Sequence, residues 1–580
     1  MKQRYSFILA FCLAVSMVLF TSCSDFWDPE TEDEFNGDDG FTSNTEMYTG
    51  FLGIMTKMQE IGDKEILLTE TRGELIEPTD ESSNELISLY NYDDNLQTNS
   101  YANPQGYYEV IIACNDYLEN MRAYKSRPNV DLDAWQSLVA STVRTKIWTY
   151  KTLAEIYGKA VWYDDPITEM SAIKEGDRFQ MLNLPELIDK CLQVLNDGYD
   201  GVSSELEIDW YEWLDPTHSV SLASSQYRKW NYMVPTYAGL YAELCLWKGA
   251  VLDSRNQDAA SYYKAAADIL LQALGKQINV TSDPGSNVYW LPSGATPGHY
   301  SPIWNNSQPY PYEAVSAIIY DYTNNQTNTL LKHFSNEYPN KYLLRPSVNG
   351  KDRFLSSTFN PGGTTNDTRY KCVFGTSSGQ DYIAKYRPVN SSARVNAYQD
   401  DCHIYIYRAT QYHMMLCEAL NHLKRFIALN AVLNKGVKDG EGDDCFNPER
   451  AEWEGFASTI DPTKCDWTGT ANWGTRKYPS LGIRGCFTGL VERPLKDNTF
   501  ELGDIGTFKF NDMAILDESM LEFAAEGKVY PMMNRMVVRY NDPAIAAERV
   551  AGKYEDASLA SSVYTKIMNG AYWVPFDLGF

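Results

Sequence analysis

From Ser24 to Thr56 the chain has no lysine and no arginine, and over its 580 residues 50 basic side chains face 77 acidic ones, a formal charge of −27. A polyphosphate partner is thereby disfavoured, because affinity for a phosphate backbone comes from clustered Lys and Arg. Acidity of this size mostly serves solubility. Metal-ligand patterns are also missing. None of the eleven cysteines forms a CxxC pair. His218, His299, His333, His403, His413 and His422 include no two at the four-residue spacing of a helical zinc site. No glycine-rich phosphate loop leads into Lys-Ser or Lys-Thr. Carboxylates are plentiful, so counting does not exclude a glycosidase-like pair, yet nothing singles out two of them. The expectation is a protein that is not an enzyme. Long hydrophobic runs are absent too: the apolar stretch 7–20 falls short of the roughly 20 residues an ordinary membrane span needs.

What that short run does suit is an export signal. Lys2 and Arg4 precede it, and small Thr21 and Ser22 lead from it to Cys23. A cysteine in that place reads as a lipidation site, with cleavage before Cys23 and acylation of its sulfur and new amine. Phe20 stands where Leu is commoner, and soluble secretion with cleavage nearby is the alternative. Residues 24–40 then carry Asp25, Asp28, Glu30, Glu32, Asp33, Glu34, Asp38 and Asp39. Such a run cannot bury itself and reads as a solvated tether, with a surface-sorting signal as a second role.

Beyond residue 43 helical periodicity dominates. Tyr107, Val110, Ile111, Cys114, Tyr117, Leu118 and Met121 share one face. A long helix is expected over 133–157, ended by Gly158, with an extended loop YGKAVWYDDP (157–166) after it. Pro185 and Glu186 open another helix to about 197. Stripes at 237–244 and 260–274, and again at 409–434, have the small-plus-aromatic character of tetratricopeptide-type hairpins, without a strict 34-residue consensus. Residues 514–540 return to helix. Cys191, Cys245 and Cys417 lie on apolar faces and read as buried thiols, while Cys445, Cys465 and Cys486 fall in a loop-like region where an exported chain permits one disulfide.

Three stretches break the helical pattern: 69–104, about 276–400, and 436–510. Long irregular segments in a compact protein are usually functional. The aromatic content is high, with 41 Tyr and 14 Trp. Sugars lie with their C–H faces on aromatic rings and give their hydroxyls to Asn, Asp, Arg and Glu. Tyr289, Trp290, Trp304, Tyr310 and Tyr312, among Asn, Ser, Pro and Gly, and Arg72, Glu74, Tyr92, Asp94 and Asn95 in the first irregular stretch, are therefore the expected ligand-binding residues. The run DGEGDD (439–444) departs from the spacing of an EF-hand loop. No cofactor is expected, a structural calcium ion being the one metal left open.

In this order the motifs resemble the SusD/RagB-like outer-membrane nutrient-binding lipoproteins. Cys23 followed by SDF and acids resembles the family's start, and Tyr108, Ile112 and Asn115 its early helix. YGKAVWYDDP resembles a "YGDVP" loop, with Lys159, Ala160 and Val161 departing from it. MMLCEAL (414–420) with the later Asn434, EFAAEG (522–527) and the closing YWVPF (572–576) complete the set. Val529 and Met532 stand where the family usually has Arg and Asp, while Tyr530 and Arg535 remain. Losing both charges together avoids an unpaired buried one.

The resemblance implies a mainly α fold of degenerate tetratricopeptide-type (SusD-like) hairpins with a large irregular loop-rich lobe. It implies a signal peptide over 1–22, a lipidated acidic tether over 23–43 and a single body over 44–580. The ligand lobe would lie at about 276–400 and 436–510. It further implies a protein anchored in the outer membrane through Cys23, facing the exterior. There it would capture oligosaccharide, or peptide as in some members, for a partner SusC-type TonB-dependent transporter. A surface hydrolase or a scaffold without a small ligand would be the departures from that expectation.

Overall fold

The computed structural model describes residues 40–164, 166, 180–206, 232–279, 302–305, 313–358, 367–386, 401–435, 482–484, 492–496 and 505–576. Cys23, Tyr289, Trp290, Tyr310, Tyr312, the DGEGDD run, Cys445, Cys465 and Cys486 lie outside the described residues. The chain divides into a unit Met1–Thr42 and a unit Ser43–Phe580, and all helices and strands described belong to the second.

Each long helix starts and stops where local chemistry directs. Helix α1 (Asn44–Arg72) opens on a capping box, Ser43 and Glu46 each accepting from the other's backbone N–H. After the short α2 (Asn84–Tyr90) comes α3 (Gln105–Tyr124), whose buried face holds all seven residues of the expected stripe. Helix α4 (Leu132–Tyr157) is capped by Asp131 and ends at Gly158 with φ 70°. A side chain there would be doubly unfavourable. The backbone is left-handed, and the Trp573 ring lies 2.9 Å from where a Cβ would sit. Helix α5 (Leu184–Asp197) has Pro185 in its first turn and an Asn183–Glu186 capping box.

The pair α6 (Tyr237–Ser254) and α7 (Ala260–Asn279) packs through Gly249, which admits the Tyr263 ring. Then follow the one-turn α8 (Leu330–Phe334), α9 (Ala409–His422), α10 (Ile505–Glu522), α11 (Val529–Tyr540), α12 (Ala544–Ala551) and α13 (Ala557–Lys566). Neighbours in this order pack on one another, α1 on α3, α3 on α4, α4 on α5, α5 on α6, α6 on α7, α7 on α9, α9 on α10 and α10 on α11, and α11 closes back onto α6. This is the expected mainly α arrangement of helical hairpins.

Four two-stranded antiparallel sheets complete the described structure: β1 (Ile76–Pro78) with β5 (Leu344–Pro346), β2 (Lys159–Trp162) with β3 (Gln180–Asn183), β4 (Ala314–Ile318) with β8 (Ile404–Arg408), and β6 (Phe374–Ser377) with β7 (Gln380–Ile383). Both strands of the β4–β8 pair are buried throughout.

Several expectations change, the following three among them. Thr69–Arg72 are the last turn of α1 rather than loop. Val348–Thr358 is helical, capped by the Ser347 hydroxyl on Gly350 N–H (3.0 Å), in a stretch with too few apolar residues to show a period. The run 514–540 is two helices, broken where Ala525 and Gly527 take φ of 62° and 76°. Cys191, Cys245 and Cys417 are free and buried, as expected.

The core is rich in ion pairs, and several of its ions are motif residues. Arg408 is fully buried and reaches Glu526 at 2.9 Å, Glu522 at 2.8 Å and Glu313 at 3.1 Å. Glu526 also takes Lys385 at 2.8 Å. The two glutamates of EFAAEG are thus counter-ions to cations from β8 and from Lys385, and Gly527 N–H donates to Glu70 at 2.8 Å. Glu418 of MMLCEAL is forked by Arg535 at 2.9 and 2.7 Å. Tyr108 accepts from Val161 N–H (3.0 Å), and Asn115 donates to the Tyr163 carbonyl (3.1 Å), so the early helix holds the YGKAVWYDDP loop. Asn434 exchanges two hydrogen bonds with the Arg493 backbone. Val529 and Met532 are buried. Burial pushes Glu313 up to about 7 against the pull of Arg408. Burial would raise Glu518 too, but Arg369, Arg493 and Arg484 hold it well below the carboxylate range.

Candidate ligand-binding face

Two of the irregular stretches meet. Strand β1, just after α1, pairs with β5 in the register Ile76↔Pro346, Glu77↔Arg345 and Pro78↔Leu344. Further along the first stretch, the Tyr101 hydroxyl hydrogen-bonds His333 Nε2 of α8 at 2.9 Å. Asn99 folds that stretch by accepting from the N–H groups of Tyr101 and Ala102 and donating to the Glu85 carbonyl. Asp94 and Asn95 lie between these anchor points and are exposed, Asn95 accepting from Gln97 N–H at 3.2 Å. Both remain free to meet a ligand.

Four other expected ligand residues are internal, which corrects their assignment. Arg72 has no exposed surface. Its guanidinium lies 3.9 Å over the Tyr92 ring and donates to the Tyr530 hydroxyl (3.4 Å) and to the Ala571 and Trp573 carbonyls. Tyr92 is buried at φ 54°, a conformation costly for an aromatic residue, and donates its hydroxyl to the Arg72 carbonyl. Glu74 is buried against Arg549 at 3.0 Å and against Arg353. Trp304 is 1% exposed. Lys385 Nζ lies 4.3 Å from its ring centroid and the Arg408 guanidinium 5.5 Å, so it roofs the ionic core. These side chains work as fasteners: Arg72 ties the end of α1 to the closing YWVPF segment, whose Tyr572 carbonyl also accepts from Asn534 at 3.2 Å.

Lys553 joins the same region. It is fully buried and donates to the Thr71 carbonyl at 2.7 Å, with the Tyr90 ring 4.8 Å away. Burial drives its ammonium down to about 7 despite the pull of Glu77 and Glu70. Glu70 is itself pushed up to about 7 by burial, although Gly527 N–H and Lys385 favour its anion.

Gly375-Thr376-Ser377-Ser378-Gly379 matches the G-x-S-x-G spacing of a serine-hydrolase elbow. An elbow is a strand-to-helix turn. Here the residues form the tip of the β6–β7 hairpin, with Ser378 and Gly379 at φ 52° and 77°. Among the described residues no histidine bonds the Ser377 hydroxyl, and no group of three or more His, Cys, Asp or Glu is placed to hold a metal ion. Sequence reading also passed over Tyr338, an exposed aromatic in the loop beside this hairpin. Its available signal was a Tyr-Pro-Asn turn among polar residues.

No protein-family model matches the sequence, and no curated protein is similar to it. Solved structures do match. A SusD superfamily protein from Bacteroides vulgatus ATCC 8482 superposes with a TM-score of 0.56 at 11% identity, over 92% of this chain and 95% of that one. A laminarin-binding SusD-like protein gives 0.53 at 13% identity over 93% and 100%. Surface glycan-binding protein A from Bacteroides thetaiotaomicron, in complex with laminarihexaose, gives 0.51 at 12% identity over 89% and 92%. The class is a mainly α protein of packed helical hairpins. Within that class, this chain has the SusD-superfamily fold.

Proposed function

We propose that this chain is a cell-surface lipoprotein that captures oligosaccharide and hands it to a SusC-type TonB-dependent transporter. The observation that carries the reading is the SusD-superfamily fold over nearly the whole chain, shared with two neighbours described as binding laminarin or laminarihexaose. The export signal and Cys23 supply an anchor in the outer membrane. The acidic run 24–40 supplies a tether that spans up to roughly 55 Å when extended. The capture step needs no cofactor and no catalysis.

The test separates anchor, partner and ligand. Cys23→Ala should release the protein from membranes and leave ligand affinity unchanged. The lipidated protein isolated from native membranes should bring a barrel transporter with it, and a glycan array should give hits. A blank array beside positive peptide pulldown would replace oligosaccharide by peptide. Shortened products after incubation with a bound oligomer would overturn the non-enzymatic reading.

A further inference from the structure

Tyr338 is 97% exposed, while the next most exposed large apolar side chain among the described residues, Leu132, is 53% exposed. A lone exposed aromatic is ordinary on a protein surface, but the loop that carries this one is not loose. Its near foot is fixed by Glu337 N–H on the Ser335 hydroxyl (3.2 Å) and by the Asn336 carboxamide on the Ser377 carbonyl (3.2 Å). Its far foot is fixed by Asn340 N–H on the Glu337 carbonyl (2.9 Å), Lys341 N–H on the Lys332 carbonyl (3.1 Å) and the Tyr342 hydroxyl on the Asp381 carbonyl. The loop is therefore stitched at both ends to the β6–β7 hairpin, and through α8 and the Tyr101–His333 bond to the stretch that exposes Asp94 and Asn95. The loop backbone that presents the ring is already ordered, so binding does not have to order that loop.

From this geometry we infer that Tyr338 is a stacking platform for one sugar ring of the captured oligosaccharide. The inference rests on the glycan-capture reading and adds a contact residue to it. The chemistry of the surroundings selects a sugar over a protein partner. Glu337 and Lys341, which flank the ring with Pro339 and Asn340 in this loop, are exposed and charged, and the hairpin tip beside it is Ser377, Ser378, Gly379 and Gln380, all exposed. No apolar patch extends from the ring across these residues, whereas a stable protein interface needs a broad one with an apolar centre. A single flat aromatic face with a polar rim fits a pyranose, whose C–H face lies on the ring while its equatorial hydroxyls meet side-chain donors and acceptors.

The experiment uses the full chain and a panel of laminarihexaose, xylohexaose and mannohexaose, read by calorimetry. For whichever hexasaccharide the wild type binds, Tyr338→Ala should weaken affinity at least about tenfold. Tyr338→Trp should stay within about threefold of wild type, and both variants should melt with the parent. Hydroxyl-radical footprinting should show Tyr338 protected when that hexasaccharide is added. Wild-type affinity in Tyr338→Ala, or an unprotected ring in the complex, overturns the platform and leaves glycan capture standing. A wild type that binds none of the panel and nothing on a broader glycan array overturns glycan capture and the platform with it. Loss of transporter co-purification in Tyr338→Ala with glycan affinity intact would assign the ring to the protein partner and overturn the inference.

Discussion

Trp304 and Tyr338 belong to the same irregular, turn-rich part of the sequence, and by residue type they are equally good sugar-stacking candidates. The fold treats them oppositely. Trp304 roofs Lys385 and Arg408 in the ionic core, whereas Tyr338 stands almost wholly in solvent on a pinned loop. The same contrast holds in the first irregular stretch. Arg72, Glu74 and Tyr92 fasten α1 to distant segments, while Asp94 and Asn95 point outward. Aromatic and charged residues in loop-like sequence are therefore two populations, one that assembles the scaffold and one that it displays.

Replacing a scaffold ring should hurt most. Trp304→Ala should lower unfolding stability by about 3–5 kcal/mol, the cost of deleting a large buried side chain. Denaturant titration would measure it, and a loss below about 1 kcal/mol would return Trp304 to the surface population. Any fall in ligand binding by this variant has to be read against its unfolding.

The next effect concerns a buried cation and depends on pH. The unfolded chain protonates Lys553 below the ordinary 10.5, but the folded chain only below about 7. The unfolded state thus holds more protons between those values. The destabilising penalty is full below about 7 and fades as pH rises toward 10.5. Lys553→Met removes the charge and keeps the length, at the loss of the hydrogen bond to the Thr71 carbonyl. It should raise stability by about 1–3 kcal/mol at pH 6, with the gain shrinking by pH 10. Melting temperatures of both proteins at pH 6, 8 and 10 decide this, and a gap that stays constant or widens contradicts it.

The smallest effect on folding belongs to the displayed population. The double variant Asp94→Ala, Asn95→Ala should keep stability within about 0.5 kcal/mol of the parent. A larger loss would show that these two also serve the scaffold.

The helices were legible because each wrote its own boundaries. The stripe from Tyr107 to Met121, the stop at Gly158 and the Pro185–Glu186 start are local signals, and all three stand in the fold. The family-like motifs were legible too, but as strings whose partners were hidden. Glu418 meets Arg535, Glu526 meets Arg408, and Tyr108 meets Val161, each pair far apart in the chain. Which of the candidate ligand residues the fold displays was only half legible. Asp94 and Asn95 are displayed, Arg72, Glu74, Tyr92 and Trp304 are not, and Tyr338 went unnoticed because a single tyrosine in a polar turn carries no period.

Sequence alone determined the helical periods, the caps, the acidic balance and the order of motifs, because these depend on neighbours within a few residues. Tertiary structure alone decided which polar and aromatic groups face inward. Arg72 is buried by Tyr530, Ala571 and Trp573, and Trp304 is covered by Lys385 and Arg408. For side chains outside a periodic stripe, burial is decided by segments brought together from distant parts of the chain, and no local pattern reports it.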